Sequence, residues 1–426
     1  MSSNPLNASI ITIGDELLIG QTIDTNSAFI AQEFNKIGIW VRRRVAVGDV
    51  KEDIRQALDE ERKQSQIIVI TGGLGPTADD ITKPLLCEYF GGQLVVNEEV
   101  KAHVQYLFEK VYRRPGAMLE RNLKQAEVPD VCTVLHNARG TAPGMWFKVP
   151  AGDGGGIFIS LPGVPHEMKG LVKDEVIPRL LKEFDMPAIV HRTAFTAGLG
   201  ESMIAELLKD FEPTLPDHIK LAYLPNYGMV KLRLTARGDN KEATEKELFP
   251  YFEQLQELVS EYLVTNEDEG LEIVLGKILK AKGKTMGTAE SCTGGNIAQL
   301  ITSIPGSSAY FKGSIVSYAN EVKENQLGVK TETLKTAGAV SEETVKEMIR
   351  GALKNLKVDY ALATSGIMGP DGGTAEKPVG TVWIAVGNAD KTETLQLNLR
   401  FDRRRNIDMT TANALNLLRK FILTNG

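Results

Sequence analysis

Residues 66–80 read Gln66-Ile-Ile-Val-Ile-Thr-Gly-Gly-Leu-Gly-Pro-Thr-Ala-Asp-Asp80. The apolar run that ends at Thr71 predicts a strand buried on both faces, as in a parallel sheet. The glycines that follow allow the backbone to approach a phosphate, and the next helix would offer its N-terminus to the same anion. The stretch therefore predicts an α/β domain with a ligand crevice beyond the carboxyl end of this strand.

The surrounding residues extend this pattern in both directions. Strands are predicted at 9–13 and 39–47, and helices from about Thr25 and at 50–63. This alternation of strand and helix favours a mostly parallel sheet with helices on both faces, over about residues 8–173. Gly152–Gly156 is expected to form a hairpin tip or surface loop before a strand at 157–161.

Two other predicted strands of this domain also end in loops with acidic or glycine residues, Gly14-Asp-Glu16 and Leu161-Pro-Gly-Val-Pro-His-Glu167. We expect the three loops to converge at one edge of the sheet. Asp79 and Asp80 would repel the anion that the glycines attract. A divalent cation that bridges carboxylate and phosphate, with Asp15, Glu16 and Asp49 nearby, resolves this conflict. The alternative is that these acids only complement a helix dipole.

A second region begins near residue 174. Alternating runs around Asn226-Tyr-Gly228 predict a hairpin, and 241–263 a helix that Pro250 interrupts, together a small α+β domain. After a polar linker at 266–270, alternation resumes. We predict helices at 271–282, 294–303, 341–356 and 405–423, and strands at 284–290, 310–318, 359–365, 379–387 and 393–401.

Two glycine-rich loops mark a second candidate site, Glu290-Ser-Cys-Thr-Gly-Gly295 and residues 364–382. All five histidines of the chain lie at or before His218, so no Ser-His-Asp or Cys-His arrangement can form within the last domain. A nucleophile there must be activated by Lys, Tyr or a carboxylate. Ser291 precedes a predicted helix N-terminus, a suitable place for an oxyanion hole. Cys292 is the rival nucleophile, and we prefer to interpret it as a buried structural thiol.

Composition narrows the class of protein. The 426 residues carry a net charge of −6, which gives no overall footprint for nucleic acid or an anionic membrane. Three distant cysteines without a Cys-x-x-Cys argue against disulfides or a structural zinc site and for a reduced compartment. No signal peptide or membrane span is indicated, so we expect a cytoplasmic protein.

The residues from Thr71 to Thr82 resemble the nucleotide-binding loop of the molybdopterin-binding fold, and Asp15-Glu-Leu-Leu-Ile-Gly-Gln-Thr-Ile-Asp-Thr-Asn26 narrows the resemblance to the CinA (competence/damage-inducible) family. The resemblance implies a three-layer domain with metal-dependent ADP-ribose pyrophosphatase activity that yields AMP and ribose 5-phosphate. The implied divalent ion is Co²⁺, Mg²⁺ or Mn²⁺. The resemblance places Asp80 at the position of the family's metal-associated Asp. With Asp49 and Asp79 it makes up the predicted metal ligands, and the predicted substrate contacts are Gly72, Gly73, Gly75, Thr77, Asp24 and Asn26.

The last domain resembles the nicotinamide-mononucleotide deamidase domain of the same family in its Glu-Ser-Cys-Thr-Gly-Gly, Tyr-x-Asn-x-x-Lys and Ser-Gly-Ile-x-Gly-Pro-x-Gly-Gly-Thr motifs. The resemblance implies that Ser291 is the nucleophile, that Tyr318 and Lys323 activate it, and that no cofactor takes part. The implied substrate contacts are Thr293, Gly294, Gly295, Ser365, Gly369, Gly373 and Arg405.

The middle domain resembles the KH-type module of CinA proteins, but no Gly-x-x-G occurs between residues 174 and 264, which removes the loop that clamps nucleotides. We expect a spacer or dimerisation role, a homodimer, and no nucleic-acid partner. The expected domains are 1–173, 174–264 and 271–426. The leading hypothesis is a bifunctional hydrolase of pyridine nucleotides. The alternative is a pterin- or nucleotide-binding protein that contacts nucleic acid or a DNA-transaction partner.

Overall fold

A computed structural model describes residues 6–77, 80–111, 120–150 and 155–425. Asp79 and most of the predicted Gly152–Gly156 loop fall outside these ranges. The chain divides into two compact units, Met1–Val190 with Ala236–Lys246 and His191–Thr235 with Glu247–Gly426. Within the described residues, none of the helices combines the length and the apolar character needed to cross a membrane.

The first unit is built around a six-stranded sheet. Its region contains the strands β1 Asn7–Ile13, β2 Trp40–Val47, β3 Ile67–Thr71, β4 Leu94–Val96, β5 Glu127–Pro129, β6 Thr133–Leu135, β7 Gly144–Val149 and β8 Gly156–Leu161. The sheet has the order β2-β1-β3-β8-β7-β6, and β4 pairs with β5 separately. Pairing is parallel from β2 to β8 and antiparallel from β8 to β6. The prediction of a mostly parallel sheet therefore holds for four of the six strands.

Helices cover both faces of this sheet. The helices of this unit are α1 Asp15–Leu18, α2 Thr25–Lys36, α3 Lys51–Glu61, α4 Thr82–Tyr89, α5 Glu98–Tyr106, α6 Glu120–Leu123, α7 Pro165–Leu171 and α8 Ile177–Glu183. One apolar core joins α2, α7 and α8 to the sheet, and another joins α3 and α4 to its opposite face. This is the expected three-layer architecture. Because Leu180 of α8 is fully buried in the first core, this layer continues past the predicted boundary at Lys173.

The middle region is a four-stranded sheet with two helices. It contains β9 Ala188–Ala197, α9 Glu201–Leu207, β10 Ile219–Asn226, β11 Met229–Gly238, α10 Lys241–Leu258 and β12 Leu263–Thr265, with the sheet order β10-β11-β9-β12. The predicted hairpin is confirmed, and Tyr227 and Gly228 both have positive φ, 44° and 77°, at its turn. The predicted interruption at Pro250 is wrong, because α10 runs through it.

The last domain contains a five-stranded sheet. Its elements are α11 Leu271–Lys282, β13 Met286–Glu290, α12 Asn296–Thr302, β14 Phe311–Val316, α13 Asn320–Leu327, α14 Thr331–Thr336, α15 Glu342–Leu356, β15 Tyr360–Gly366, β16 Thr381–Gly387, β17 Thr392–Asn398 and α16 Arg403–Asn425. The order is β14-β13-β15-β16-β17. β13 pairs in parallel with β14 and β15, so the carboxyl ends of these three strands lie at one edge. The predicted elements are all present, whereas α13 and α14 were not predicted.

Candidate functional sites

A cavity of about 170 Å³ lies at the carboxyl ends of β13, β14 and β15. Its wall is formed by Ser291, Cys292, Tyr318, Asn320, Lys323, Ala339, Val340, Ser365, Gly366, Met368 and Arg403. Four residues predicted from the sequence, Ser291, Tyr318, Lys323 and Ser365, are thus brought to one cavity. Ser291 follows β13, Tyr318 and Lys323 follow β14, and Ser365 lies in β15. All four side chains are therefore at the edge of the sheet where open α/β sheets place their ligands.

Ser291 follows directly on Glu290, the last residue of β13, whose side chain is fully buried. The Glu290 carboxylate accepts hydrogen bonds from the backbone N–H groups of Gly295, Ile297 and Ala298 at 2.9–3.1 Å. It also accepts from the hydroxyl of Thr293 at 2.8 Å. The expectation that the α12 N-terminus supplies an oxyanion hole is therefore wrong for these amides, because an internal carboxylate already occupies them.

The predicted substrate contacts in this turn have structural partners. The hydroxyl of Thr293 lies 2.8 Å from that of Thr364 as well as bonding to Glu290. Gly294 and Gly295 have φ angles of 60° and 95°, which a turn of this shape requires and which L side chains rarely adopt. None of the three is among the residues that line the cavity. As substrate contacts they stay predictions.

Lys323 is almost completely buried on the first turn of α13. Its ε-amine donates to the carbonyl oxygens of Ser317 and Tyr318 at 2.7 and 3.3 Å. Burial lowers the pKa of Lys323, and interaction with Cys292 opposes this only in part. A neutral amine has two N–H bonds for these two carbonyls and keeps its lone pair, so Lys323 can serve as a base towards the cavity that it lines.

Cys292 has the properties of a structural thiol. Its side chain is 5% exposed, and burial raises the pKa of its thiol to about 12. The charge of Glu290 raises this pKa further, while a hydrogen bond with Thr364 opposes the shift. Because the thiolate is the nucleophilic form, Cys292 is a poor nucleophile near neutral pH although it lines the cavity.

Arg403 is the site residue that the sequence did not single out. Its guanidinium donates to the hydroxyl of Tyr318 at 2.9 Å and to the carbonyl oxygen of Gly369 at 2.8 Å. Arg405, the predicted phosphate ligand, instead lies with its guanidinium 4.1 Å from the centre of the Phe401 ring and does not line the cavity. In a run of three arginines at a helix start, the direction of each side chain depends on the helix rotation, which sequence spacing alone left open.

The second glycine-rich loop closes one side of the cavity. Gly369, a predicted contact, presents its carbonyl to Arg403. Gly373 is packed so closely against the backbone of Val379 that a side chain would have no room, since a Cβ would lie 2.7 Å from its nitrogen. Ser365 is buried and donates to the carbonyl of Ala339 at 2.7 Å. Met368 is also buried and lines the cavity.

A smaller cavity of about 120 Å³ lies at the carboxyl ends of β1 and β3 in the first unit. Asp24 and Asn26, both predicted contacts, line it together with Glu16 and Thr71. Asp24 caps α2 by accepting from the backbone and hydroxyl of Ser27. Asn26, at the start of α2, donates to the carbonyl of Gly163 at 2.7 Å. The hydroxyl of Thr71 donates to the carbonyl of Pro162 at 3.0 Å, which joins two of the three predicted loops. The expected convergence is thus present for these loops.

The glycine loop after β3 is closed by Asp80. The carboxylate of Asp80 accepts from the backbone N–H groups of Gly75 and Thr77 at 2.7 and 2.9 Å, and from the Thr77 hydroxyl. Gly72 and Gly73 have φ angles of 117° and 62°, and a Cβ on Gly72 would lie 2.2 Å from the Ile13 carbonyl oxygen. Asp80 therefore shapes this loop whatever else it binds.

The predicted metal ligands do not form a complete site among the described residues. Asp49 and Asp15 accept hydrogen bonds from each other's backbone N–H groups at 3.2 Å. Asp79 lies outside the described residues, and the part of the chain that the structure covers contains no group of three His, Cys, Asp or Glu arranged to hold a metal ion. The divalent ion therefore stays a prediction.

Comparisons with known proteins agree with these three regions. Family models described as "Probable molybdopterin binding domain", "Damage-inducible protein CinA KH domain" and "CinA C-terminal domain" match residues 9–182, 191–265 and 268–422.

The chain is similar to a CinA-like protein of Cytophaga hutchinsonii, with 48% identity over 97% of each chain. It is also similar to a CinA-like protein of Flavobacterium psychrophilum, with 47% identity over 99% of each. The crystal structure of competence/damage inducible protein CihA from Agrobacterium tumefaciens matches 37% of this chain and 98% of its own, with 38% identity and a TM-score of 0.34. Full-length identity at this level shows that the chain belongs to the CinA family.

Proposed function

We propose that the chain is a bifunctional hydrolase of pyridine nucleotides, whose last domain converts nicotinamide mononucleotide to nicotinate mononucleotide and ammonia. The observation that carries this proposal is that Ser291 and the buried Lys323 line one cavity. A hydroxyl that shares a cavity with a desolvated amine has the elements of a nucleophile and its base, and amide hydrolysis through an ester is the reaction that such a pair supports.

The proposed reaction has two halves. Lys323 takes the proton of the Ser291 hydroxyl as the oxygen attacks the carboxamide carbon, and a tetrahedral oxyanion forms. Its collapse breaks the C–N bond, and the ammonium of Lys323 returns a proton to the departing ammonia. Lys323 then takes a proton from water as the water oxygen attacks the ester. It returns this proton to the Ser291 oxygen when the ester C–O bond breaks, and the acid leaves and ionises to the carboxylate.

The charges around the cavity favour a substrate with an anionic end. Lys323 must be neutral to act as a base, so Arg403 is the permanent positive charge among the residues that line the cavity. Drug-sized ligands fill pockets of roughly 300–1,000 Å³, more than this cavity offers. We therefore infer that the pyridine ring and its carboxamide enter, while the ribose phosphate stays at the mouth beside Arg403 and the 63%-exposed Tyr318.

An ammonia assay tests this half of the proposal. Purified protein is incubated with nicotinamide mononucleotide, and ammonia is measured with a coupled dehydrogenase, in parallel with nicotinamide riboside and free nicotinamide. We expect release from the mononucleotide, and weaker release from the two substrates that lack the phosphate. Absence of ammonia from all three would refute the deamidase assignment.

For the first domain we propose hydrolysis of ADP-ribose to AMP and ribose 5-phosphate with a divalent ion. Support comes from the glycine loop closed by Asp80 and from the adjacent cavity with Glu16, Asp24 and Asn26. The test measures AMP from ADP-ribose with added Mg²⁺, Mn²⁺ or Co²⁺ and with chelator. AMP formation that persists unchanged in chelator would refute the metal requirement, and its absence with every ion would refute the activity.

A further inference from the structure

Ala339 and Val340, which line the cavity, belong to a backbone segment, residues 337–340, that side chains hold by hydrogen bonds. All four of its consecutive carbonyl oxygens accept hydrogen bonds from side chains. Lys377 donates to Ala337 and Val340 at 2.7 and 2.8 Å, and Ser365 donates to Ala339 at 2.7 Å. The hydroxyls of Ser341 and Thr344 donate to Gly338 at 2.9 and 2.8 Å.

The four backbone N–H groups of the same segment differ in whether they have a hydrogen-bond acceptor. Among the described residues, the backbone N–H groups of Ala339 and Val340 have no hydrogen-bond acceptor, whereas those of Ala337 and Gly338 bond to Thr333. Both Ala339 and Val340 line the cavity that holds Ser291. Two adjacent amides without acceptors, in a segment whose carbonyls are all engaged, are a donor pair of the kind that can bind an anion.

The N-terminus of the helix that follows the nucleophile, here α12, is another suitable place for an oxyanion hole, but its amides already have an acceptor. At the start of α12 the amides of Gly295, Ile297 and Ala298 donate to the buried Glu290 carboxylate. They cannot also stabilise negative charge on a substrate, and the charge of Glu290 would oppose it. These three amides are therefore not available, and the donors to an oxyanion in this cavity must be other N–H groups.

We infer that the backbone N–H groups of Ala339 and Val340 form the oxyanion hole for acyl transfer at Ser291, and that Lys377 is the positioning residue that holds them. This inference rests on the proposed deamidation. As the Ser291 oxygen bonds to the carboxamide carbon, the electron pair of the C=O bond moves onto oxygen, and these two amides donate to the resulting O⁻. The electron pair returns to the C=O bond when the C–N bond breaks.

Lys377 links the two loops that surround the cavity. It lies within the second glycine-rich loop, residues 364–382, where its own backbone is held in a turn with Thr374. Its ε-amine reaches across to both ends of the 337–340 segment. Loss of the amine frees the carbonyls of Ala337 and Val340, so the intervening peptides can rotate and the amides lose their orientation. Preorganised donors lose most of their catalytic effect when they must reorient during the reaction.

The experiment compares full-length wild type, Lys377→Met and Lys377→Arg, with Lys391→Met as a matched control at an exposed lysine paired with Glu393. Two quantities are measured for each: steady-state kinetics with nicotinamide mononucleotide, and inhibition by pyridine-3-boronic acid. The boronic acid adds to a serine oxygen and becomes a tetrahedral anion, so its affinity reports on the oxyanion hole. KM reports on ground-state binding.

We expect Lys377→Met to lower kcat and weaken boronate inhibition by a similar factor, on the order of tenfold to a hundredfold, with KM changed by less than about threefold. Lys377→Arg retains a donor for these carbonyls and should recover part of both losses. Lys391→Met should match wild type. A general distortion of the cavity would raise KM together with the inhibition constant.

Boronate affinity and kcat that stay at wild-type level in a folded Lys377→Met protein would overturn the inference, as would a loss confined to KM. If Lys377→Met does not fold, Ser341→Ala, which removes one of the two donors to Gly338, gives the second comparison and should shift kcat and boronate affinity together. If wild type binds the boronate with this dependence on Lys377 but releases no ammonia, the oxyanion hole stands and the proposed substrate is wrong.

Discussion

The guanidinium of Arg403 donates a hydrogen bond of 2.9 Å to the hydroxyl of Tyr318. Arg403 begins α16 and Tyr318 lies just after β14, so the bond links two separate elements of the cavity wall. The same guanidinium holds the carbonyl of Gly369. An arginine so fixed retains its charge and a planar set of donors for an incoming phosphate, at little further entropic cost.

Exchange of Arg403 should therefore affect substrate binding more than chemistry. We expect Arg403→Ala to raise KM for nicotinamide mononucleotide by about tenfold to a hundredfold, the scale of a lost charge-assisted hydrogen bond. Arg405→Ala, which removes a side chain stacked on Phe401, is the matched control and should stay within about twofold of wild type. Steady-state kinetics of both variants show which arginine binds the phosphate. A larger rise in KM for Arg405→Ala than for Arg403→Ala would identify Arg405 as the phosphate ligand.

The pH dependence of deamidation should report on Lys323. A base works in its deprotonated form, so kcat/KM should rise as pH rises through the pKa of Lys323, which burial places below the ordinary value of 10.5. Lys323→Met should lose most activity and also this rise, since no amine remains to titrate. Lys330→Met, at an exposed lysine nearby in the chain, should keep the wild-type profile. An unchanged rise in Lys323→Met would assign it to another group.

The same shift has a consequence for stability. Between the lowered pKa of folded Lys323 and 10.5 the unfolded chain binds more protons than the folded one, so this lysine makes the free energy of unfolding increase with pH in that window. Lys323→Met should show a weaker increase there, measured by urea unfolding at several pH values. An identical pH dependence in both proteins would contradict the depressed pKa.

Cys292 should be dispensable for chemistry. With a thiol pKa of about 12, only a very small fraction is thiolate at neutral pH. We expect Cys292→Ala to retain kcat within about threefold and to lose only about 1 kcal/mol of stability from a small packing defect. Ammonia release and thermal unfolding of this variant are the measurements. A loss of activity as large as that of Ser291→Ala would identify the thiol as a reacting group.

The two proposed activities should separate by mutation. Asp80→Asn replaces a carboxylate that accepts from two backbone amides with a group that presents an N–H to one of them, so the glycine loop loses its shape. We expect loss of AMP formation from ADP-ribose and unchanged release of ammonia, with both products measured on one protein preparation. Loss of both products in a folded variant would contradict independent sites.

Much of this architecture could be predicted from the chain. The buried run 67–71, the hairpin at Tyr227 and the helix 271–282 follow local rules of periodicity and turn chemistry, and the structure places them at or near the predicted positions. α13 was missed because Asn320–Leu327 is mostly polar and has little apolar periodicity, although it carries Lys323. Pro250 misled the prediction because tertiary packing kept α10 continuous.

Of the candidate site, the motifs identified the residues but not their contacts. Ser291, Tyr318 and Lys323 could be predicted as a group because each follows a predicted strand end. The hydrogen bonds of the Arg403 guanidinium and of the Lys377 amine join elements that are distant in sequence. They depend on side-chain orientations that no local sequence pattern encodes. Glu290 gives no signal in the sequence as a helix cap either, since its partners Ile297 and Ala298 lie beyond the usual spacing of a capping residue.

The central claim is that Ser291 attacks the carboxamide, and a trapped intermediate tests it most directly. Protein mixed with nicotinamide mononucleotide is acid-quenched on the millisecond scale, digested and analysed by mass spectrometry, with Ser291→Ala and Cys292→Ala in parallel. We predict a nicotinate-mononucleotide ester on Ser291 in wild type and in Cys292→Ala, and neither adduct nor ammonia in Ser291→Ala. An adduct on Cys292, or ammonia at the wild-type rate from Ser291→Ala, would contradict the account.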